Sequence, residues 1–211
     1  MNEEAKIQLS AVEMELVNNT EWIFTKHLII QKVYQLFGKL NEDYKKIIFQ
    51  EQEFLPDALK KSGGKISKGE NYKGLPYVIL DYPAIYSKEN IFAIRTMFWW
   101  GHFFSISLQL SGENFNVFKN VFRNMQFLKE NNFSLCVNET QWEHDFHPSN
   151  FKNIKDLKKD EIETLSKKEF FKIGKKIELN EWNVSAFFLE NTFMEIIEFL
   201  KLSCRGDEKV L

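Results

Sequence analysis

The chain has 211 residues, of which 44% are hydrophobic and 27% are charged, and its formal net charge is −2. This length and balance fit a single globular domain, 1–211, and they exclude a strongly basic, general nucleic-acid-binding protein. No apolar run reaches the length of a membrane span, and the acidic start lacks the order of a signal peptide. Two cysteines without a CxxC pair indicate no disulfide framework, so we expect a reduced, cytoplasmic protein.

Two further features of composition suggest a source and a surface. The heavy use of Lys, Asn, Ile and Phe, with 21 Phe, is typical of a chain from an AT-rich bacterial genome. Residues 1–55 hold nine acids against six lysines, whereas residues 152–178 hold nine lysines against six acids. We interpret these blocks as two solvated surfaces; head-to-tail association is the alternative.

The N-terminal part, residues 1–61, is predicted to be helical. A first helix covers residues 3–18, and Thr20 is the predicted N-cap of the next one. Residues 21–37 carry apolar side chains at three- and four-residue steps, which predicts an amphipathic helix that ends at Gly38.

The chain after Gly38 is predicted to form two more helices and a loop. Asn41 resembles a second N-cap, with acids following it where the helix dipole favours them. This helix runs to about residue 55, and Pro56 suits the first turn of a short further helix. The composition of residues 62–74, rich in Gly, Ser, Asn and Lys, predicts a flexible loop.

Residues 75–179 are predicted to form mainly antiparallel sheet, because the connections are too short for parallel crossovers. A helix at 113–130 interrupts the strands, and a C-terminal helix covers 181–203, followed by a disordered tail. The predicted strands lie at 75–83, 90–98, 102–110, 133–137, 141–146 and 168–179, the last as a lysine-rich edge strand. The fold class is therefore α+β, with a sheet of about five to six strands packed against N-terminal, central and C-terminal helices.

The hairpin around Trp99-Trp100-Gly101 sets the register of the central sheet. A two-residue loop at 100–101 would place Arg95 opposite Ile106 on the apolar face. A three-residue loop at 99–101 places Arg95 near Ser105, and this avoids burying a lone charge. We therefore predict the three-residue loop, with Gly101 in a left-handed conformation. One face of the hairpin is then core: Phe92, Ile94, Phe98, Phe104, Ile106 and Leu108.

Arg95, on the other face, is the leading candidate for a binding site. Its small neighbours leave space, and its planar fork suits a carboxylate or phosphate. Asp81, in the preceding strand, lies within reach, so a structural ion pair competes with a groove for an anionic small molecule. The predicted ligand-binding residues are Arg95, Asp81, Tyr77, Trp99, Trp100 and Ser105, with the aromatic side chains as walls.

The stretch "WEHDFHPS" has the side-chain chemistry of a metal site. Glu143, His144, Asp145 and His147 are ligand types, but alternation along a strand sends the two histidines to opposite faces. Without a third clear partner we predict no metal, with His144 facing the core and His147 in solvent. No GxSxG elbow and no phosphate-loop spacing is present, so catalytic residues stay unassigned and no cofactor is expected.

Three functions stay open at this point. We expect most a non-enzymatic binding or protein-interaction module that pairs with itself or with another protein, and that binds neither nucleic acid nor membrane. The first alternative is an enzyme or sensor for an anionic small molecule at Arg95. The second is a metal-dependent hydrolase that uses His144 and His147.

Overall fold

The computed structural model describes residues 7–51 and 55–204, apart from the side chain of Lys119. These residues form an antiparallel sheet with helices, which confirms the predicted α+β class. The sheet has seven strands, slightly more than predicted, in the order β1-β2-β3-β4-β7-β5-β6. The strands are β1 (Lys65–Tyr72), β2 (Leu75–Tyr86), β3 (Ile91–Trp99), β4 (Phe103–Ser111), β5 (Ser134–Cys136), β6 (Phe151–Asn153) and β7 (Phe170–Glu178).

Helices cover one face of this sheet, and the main core lies between the two layers. The α-helices are α1 (Ala11–Asn18), α2 (Thr20–Gln50), α3 (Asp57–Lys60), α4 (Glu113–Val117), α5 (Met125–Glu130), α6 (Lys159–Leu165) and α7 (Trp182–Cys204). Helices α2 and α7 contact each other, and the ring of Tyr44 stacks on that of Phe193 at 3.9 Å. The predicted core face of the hairpin is buried here, as expected: Phe92, Ile94, Phe98, Phe104, Ile106 and Leu108.

Helix α2 is longer than the sequence predicted. It runs without interruption from Thr20 to Gln50, so the predicted end at Gly38 and the predicted N-cap at Asn41 are wrong. Burial of Phe37, Leu40 and Tyr44 on one stripe holds the helix together across the glycine, because tertiary packing outweighs propensity. Its actual N-cap is the residue before Thr20.

Two predictions about strands are also wrong. Residues 62–74 include the edge strand β1, which pairs with β2 from Lys65 to Tyr72. Strand β7 is not an edge strand, because it lies between β4 and β5. Its lysines are tolerated inside the sheet because they find partners there; Lys175, for example, forms an ion pair with Glu195 of α7 at 2.7 Å.

The central helix and the predicted strand at 141–146 differ as well. Residues 113–130 form α4, a 3-10 helix (Lys119–Asn124) and α5 rather than one helix. Residues 137–150, between β5 and β6, contain no strand. The C-terminal helix matches α7 closely, and the predicted tail at 205–211 lies outside the described residues. Among the described residues, no helix is long and apolar enough to cross a membrane.

Candidate functional site

The loop between β3 and β4 has the predicted length but starts one residue later. Residues 100–102 join the strands, and Gly101 has a positive φ of 74°, which glycine adopts without strain. The shift lets Trp99 pair with Phe103 as the last pair of the ladder. Both side chains are buried on the face away from α2 and α7, so the later start buries two aromatic side chains.

The register changes accordingly, although the faces do not. Phe98 pairs with Phe104, and Arg95 lies opposite Ser107 rather than near Ser105 as predicted. A shift of two residues keeps every side chain on its predicted face, since side chains alternate along a strand. Arg95 therefore lies, as expected, on the face of the sheet that points away from α2 and α7. We call this the second face.

The guanidinium of Arg95 forms hydrogen bonds with other side chains of the same chain. Its Nε and one NH2 hydrogen donate to the two carboxylate oxygens of Asp81 at 2.7 and 2.8 Å, and Asp81 is its direct neighbour in β2. The hydroxyl of Tyr86 accepts a further hydrogen bond at 3.0 Å, and Nε2 of His144 lies 2.9 Å from NH1. Four of its five N–H groups are thus committed within the chain.

The other predicted ligand-binding residues fall into two groups. Tyr77, Trp99 and Ser105 lie on the same face of the sheet as Arg95. Trp100 does not, because it packs against the core beneath the helices and meets Trp22 edge-on at 6.0 Å.

A segment that the sequence did not predict covers the second face. We call residues 137–150 the covering segment. Its main-chain N–H groups at His144 and Asp145 donate to the Tyr72 hydroxyl at 2.8 and 3.1 Å. The ring of Phe146 lies against Gly174, where an added Cβ would be 3.2 Å from the ring. The small side chains that left space beside Arg95 therefore accommodate the protein itself.

Beneath this segment lies a buried lysine, Lys172. Lys172 is 1% exposed, and its Nζ lies 2.8 and 2.6 Å from the carbonyl oxygens of Gln141 and Glu143. Its third neighbour is Nδ1 of His144 at 3.2 Å, so the imidazole is held between Lys172 and Arg95. One feature of the sequence points to this lysine: Phe171 and Ile173 on either side of it face the core, so alternation places Lys172 on the opposite face of the sheet.

Burial is the main cause of the lowered pKa values of Lys172 and His144. Loss of solvation lowers the pKa of Lys172 to about 7, and the nearby charge of Arg95 adds to the effect. Loss of solvation, with the charges of Lys172 and Arg95, lowers the pKa of His144 to about 2. Both side chains are therefore driven towards their neutral forms.

The residues considered as metal ligands are committed to other contacts. The two ring nitrogens of His144 face Arg95 and Lys172, and His147 Nδ1 lies 2.8 Å from the Ser149 hydroxyl. Asp145 forms an ion pair with Lys73 at 2.5 Å. In residues 7–51 and 55–204, no three His, Cys, Asp or Glu side chains are grouped to hold a metal ion.

An open cleft lies beside the hairpin loop. It has a volume of about 620 Å³ and is lined by Trp99, His102 and Phe103 on the sheet and by Asp145 and His147 on the covering segment. The rings of Trp99 and His102 stack at 3.6 Å along its wall. Arg95 is not among the residues that line this cleft.

The second feature with functional potential is an exposed arm, residues 11–32, which comprises α1 and the first part of α2. None of the residues of α1 is buried, and the first buried residue of α2 is Val33. Eight large apolar side chains along the arm are between 44% and 65% exposed: Val12, Met14, Leu16, Val17, Trp22, Ile23, Phe24 and Leu28.

Local capping accounts for the helical conformation of the arm. Ser10 and Glu13 form a capping box, with the Ser10 N–H donating to the Glu13 carboxylate at 2.7 Å and the Glu13 N–H donating to the Ser10 hydroxyl at 3.3 Å. The Asn19 side chain accepts from the Trp22 N–H at 3.0 Å, so Asn19, not the predicted Thr20, is the N-cap of α2. Lys26 forms an ion pair with Glu70 of β1, and Trp22 contacts Trp100. These two contacts attach the arm to the rest of the protein, which we call the body.

Comparisons with protein-family models, with curated proteins and with solved structures found no match for this chain. Function is therefore inferred from the geometry and charge of the described residues.

Proposed function

We propose that this protein is a non-enzymatic protein-interaction module that pairs with a second copy of itself through the arm. The observation that carries the proposal is the exposure of eight large apolar side chains on two consecutive helical segments. Such side chains, each about half exposed, present on the order of 700 Å² of apolar surface. A standard interface buries about 800 Å² on each partner, and the side of the arm that faces a partner would contribute the apolar share of that area.

The charges of the arm favour a second copy in antiparallel orientation. The first half of the arm carries Glu13, Glu15 and Glu21 and no basic residue, whereas the second half carries Lys32 and no acid after position 21; its other lysine, Lys26, is already paired with Glu70 of β1. A two-fold axis through the middle of two antiparallel arms places the acidic half of each copy beside the basic half of the other. Such complementary charges fix the register and disfavour the parallel arrangement.

Helix α1 itself supports a partner on this surface. It has only eight residues and buries none of them. An isolated helix of that length is marginal in water, because nucleation is costly and tertiary packing supplies most helical stability. A second arm packed against α1 would provide that stabilisation.

The two alternative functions have less support. An anionic ligand at Arg95 would have to displace the bidentate contact with Asp81, which already satisfies the guanidinium. A hydrolase using His144 would require a ring nitrogen that now faces Arg95 or Lys172. The free thiols of Cys136 and Cys204, with the composition, support our further proposal of a bacterial cytoplasmic location.

Light scattering on the full chain tests the proposal. The unmodified chain, at 25.1 kDa, is expected to show twice that mass, and Phe24→Asp is expected to show the monomer mass because it places a charge inside the pair. Phe187→Asp is the matched control, since Phe187 is 74% exposed on α7, outside the arm. A monomeric unmodified chain, or equal loss of pairing in both variants, would contradict the proposal.

Charge reversal tests the antiparallel register separately. Replacing Glu15 with Lys, which leaves the capping box of Ser10 and Glu13 intact, should weaken pairing at low salt, because this lysine would then face the basic half of the partner. Adding Lys32→Glu to this variant should restore part of the affinity. If the double variant pairs no better than the single variant, the two halves do not face each other.

A further inference from the structure

Arg95, His144 and Lys172 form one chain of nitrogen atoms, and this chain allows a single placement of protons. A guanidinium only donates, so His144 Nε2, 2.9 Å from Arg95, must accept. A neutral imidazole that accepts at Nε2 carries its proton on Nδ1. Nδ1 lies 3.2 Å from Lys172 Nζ, and the lysine nitrogen must then be the acceptor of that bond.

Only an uncharged lysine has a lone pair that can accept. The two N–H groups of the neutral amine of Lys172 match the carbonyl oxygens of Gln141 and Glu143, at 2.8 and 2.6 Å. Its lone pair matches the Nδ1–H of His144, so all three polar positions of the amine are satisfied. An ammonium group would instead direct its third N–H at the N–H of His144.

We propose that Lys172 is a neutral amine in the folded protein and that its protonation releases the covering segment from the sheet. Adding a proton to Lys172 would place an N–H of its ammonium group against the Nδ1–H of His144, so that two donors face each other. If His144 changes tautomer to accept from Lys172, the opposed donors move to its contact with Arg95. The donors no longer face each other once His144, which belongs to the covering segment, moves away from Arg95 and Lys172.

The charged groups around Lys172 do not remove this conflict. Strand β3 contributes the cation Arg95, and β4 contributes the uncharged Gln109 opposite Lys172. Strand β5 contributes the thiol of Cys136. In the described part of the chain, no carboxylate lies within ion-pair distance of Lys172 Nζ. The nearest acids either bind Lys73, as Glu143 and Asp145 do, or bind Arg95, as Asp81 does.

The direction of the pH effect follows from the lowered pKa. When the segment opens, Lys172 regains the ordinary lysine pKa near 10, so opening takes up a proton at any pH between about 7 and 10. The equilibrium constant for opening therefore rises about tenfold for each unit by which the pH falls within that window, and it becomes constant below about pH 7. Protonation of His144 extends the effect into acid, since its pKa lies near 2 when the segment is closed and near 6.5 when it is open.

Proton counting tests the charge state of Lys172. Calorimetric unfolding at about pH 8.5, in two buffers of different ionisation enthalpy, should show about one more proton taken up by the unmodified chain than by Lys172→Met. Lys172→Gln, whose amide can still donate to a carbonyl, serves if the methionine variant does not fold. Lys159→Met, at an exposed position of α6, should match the unmodified chain. Equal uptake by all variants would mean that Lys172 is charged in the folded protein.

Hydrogen exchange tests the release of the segment. After correction for intrinsic rates, protection of the main-chain N–H groups of residues 142–147 should fall about 50-fold between pH 9 and pH 7, while β4 keeps its protection. In Lys172→Gln the segment should show no such fall. Protection of the segment that does not change with pH in the unmodified chain would overturn the release, whatever the charge of Lys172.

Discussion

Replacing Asp81 with Asn should destabilise the protein strongly, because it breaks a mostly buried ion pair. The side chains of Arg95 and Asp81 are only 18% and 10% exposed, and they meet in a bidentate pair. Removing one partner of such a pair leaves a charge in a poorly solvated place, which costs about 3–5 kcal/mol. For a chain of this length, that loss lowers the melting temperature by roughly 10 °C.

Urea denaturation of matched variants measures this cost. Asp57→Asn is the control, because Asp57 also pairs with a lysine at 2.8 Å but its side chain is 81% exposed. Its loss should have little effect on stability, because solvent screens the exposed pair. Combining Asp81→Asn with Arg95→Met should recover part of the stability, since the unpaired charge is gone. If Asp81→Asn costs no more than the control, Arg95 is solvated and the buried pair does not exist as described.

Three further changes test the fold, each by chemical denaturation. Gly38→Ala should stabilise by about 0.5–1 kcal/mol, because the position is mid-helix with open space; destabilisation would mean that the helix ends there. Gly174→Ala should cost about 1–3 kcal/mol, since its Cβ would lie 2.9 Å from the main chain of β4 and 3.2 Å from Phe146; a neutral result would contradict this close approach of β4 and Phe146 to Gly174. Tyr44→Phe should cost about 1–2 kcal/mol, because the buried hydroxyl bonds to Thr96 at 3.2 Å; a cost near zero would argue against that contact.

The sequence could predict the faces of the sheet because local alternation encodes them. The alternation of Phe92, Ile94 and Phe98 with Arg95 has a period of two. Together with a loop of three residues, it places each side chain on the correct face. The exact register could not be predicted, because loops that differ by one position satisfy the same pattern. The aromatic pair of Trp99 with Phe103, which decided it, is a tertiary contact.

The candidate sites were harder to predict because long-range contacts create them. The alternation in the covering segment predicted a strand at 141–146 that does not form, and its partners Tyr72, Arg95 and Lys172 come from three different strands. Lysine composition suggested an edge for β7, whereas backbone carbonyls satisfy Lys172 inside the sheet. The arm carries a helical pattern that normally indicates a core, so its exposure could be seen only once the body of the protein was complete.

The mass of the unmodified chain in solution tests the central claim most directly. Sedimentation equilibrium over a range of protein concentrations should fit a reversible association between the 25.1 kDa chain and a species of twice that mass. The association should weaken as salt is added, because acidic and basic halves of the two arms face each other. A single species of 25.1 kDa at all concentrations up to about 100 μM, which lies above the μM-to-pM dissociation constants of standard-size interfaces, would contradict the account.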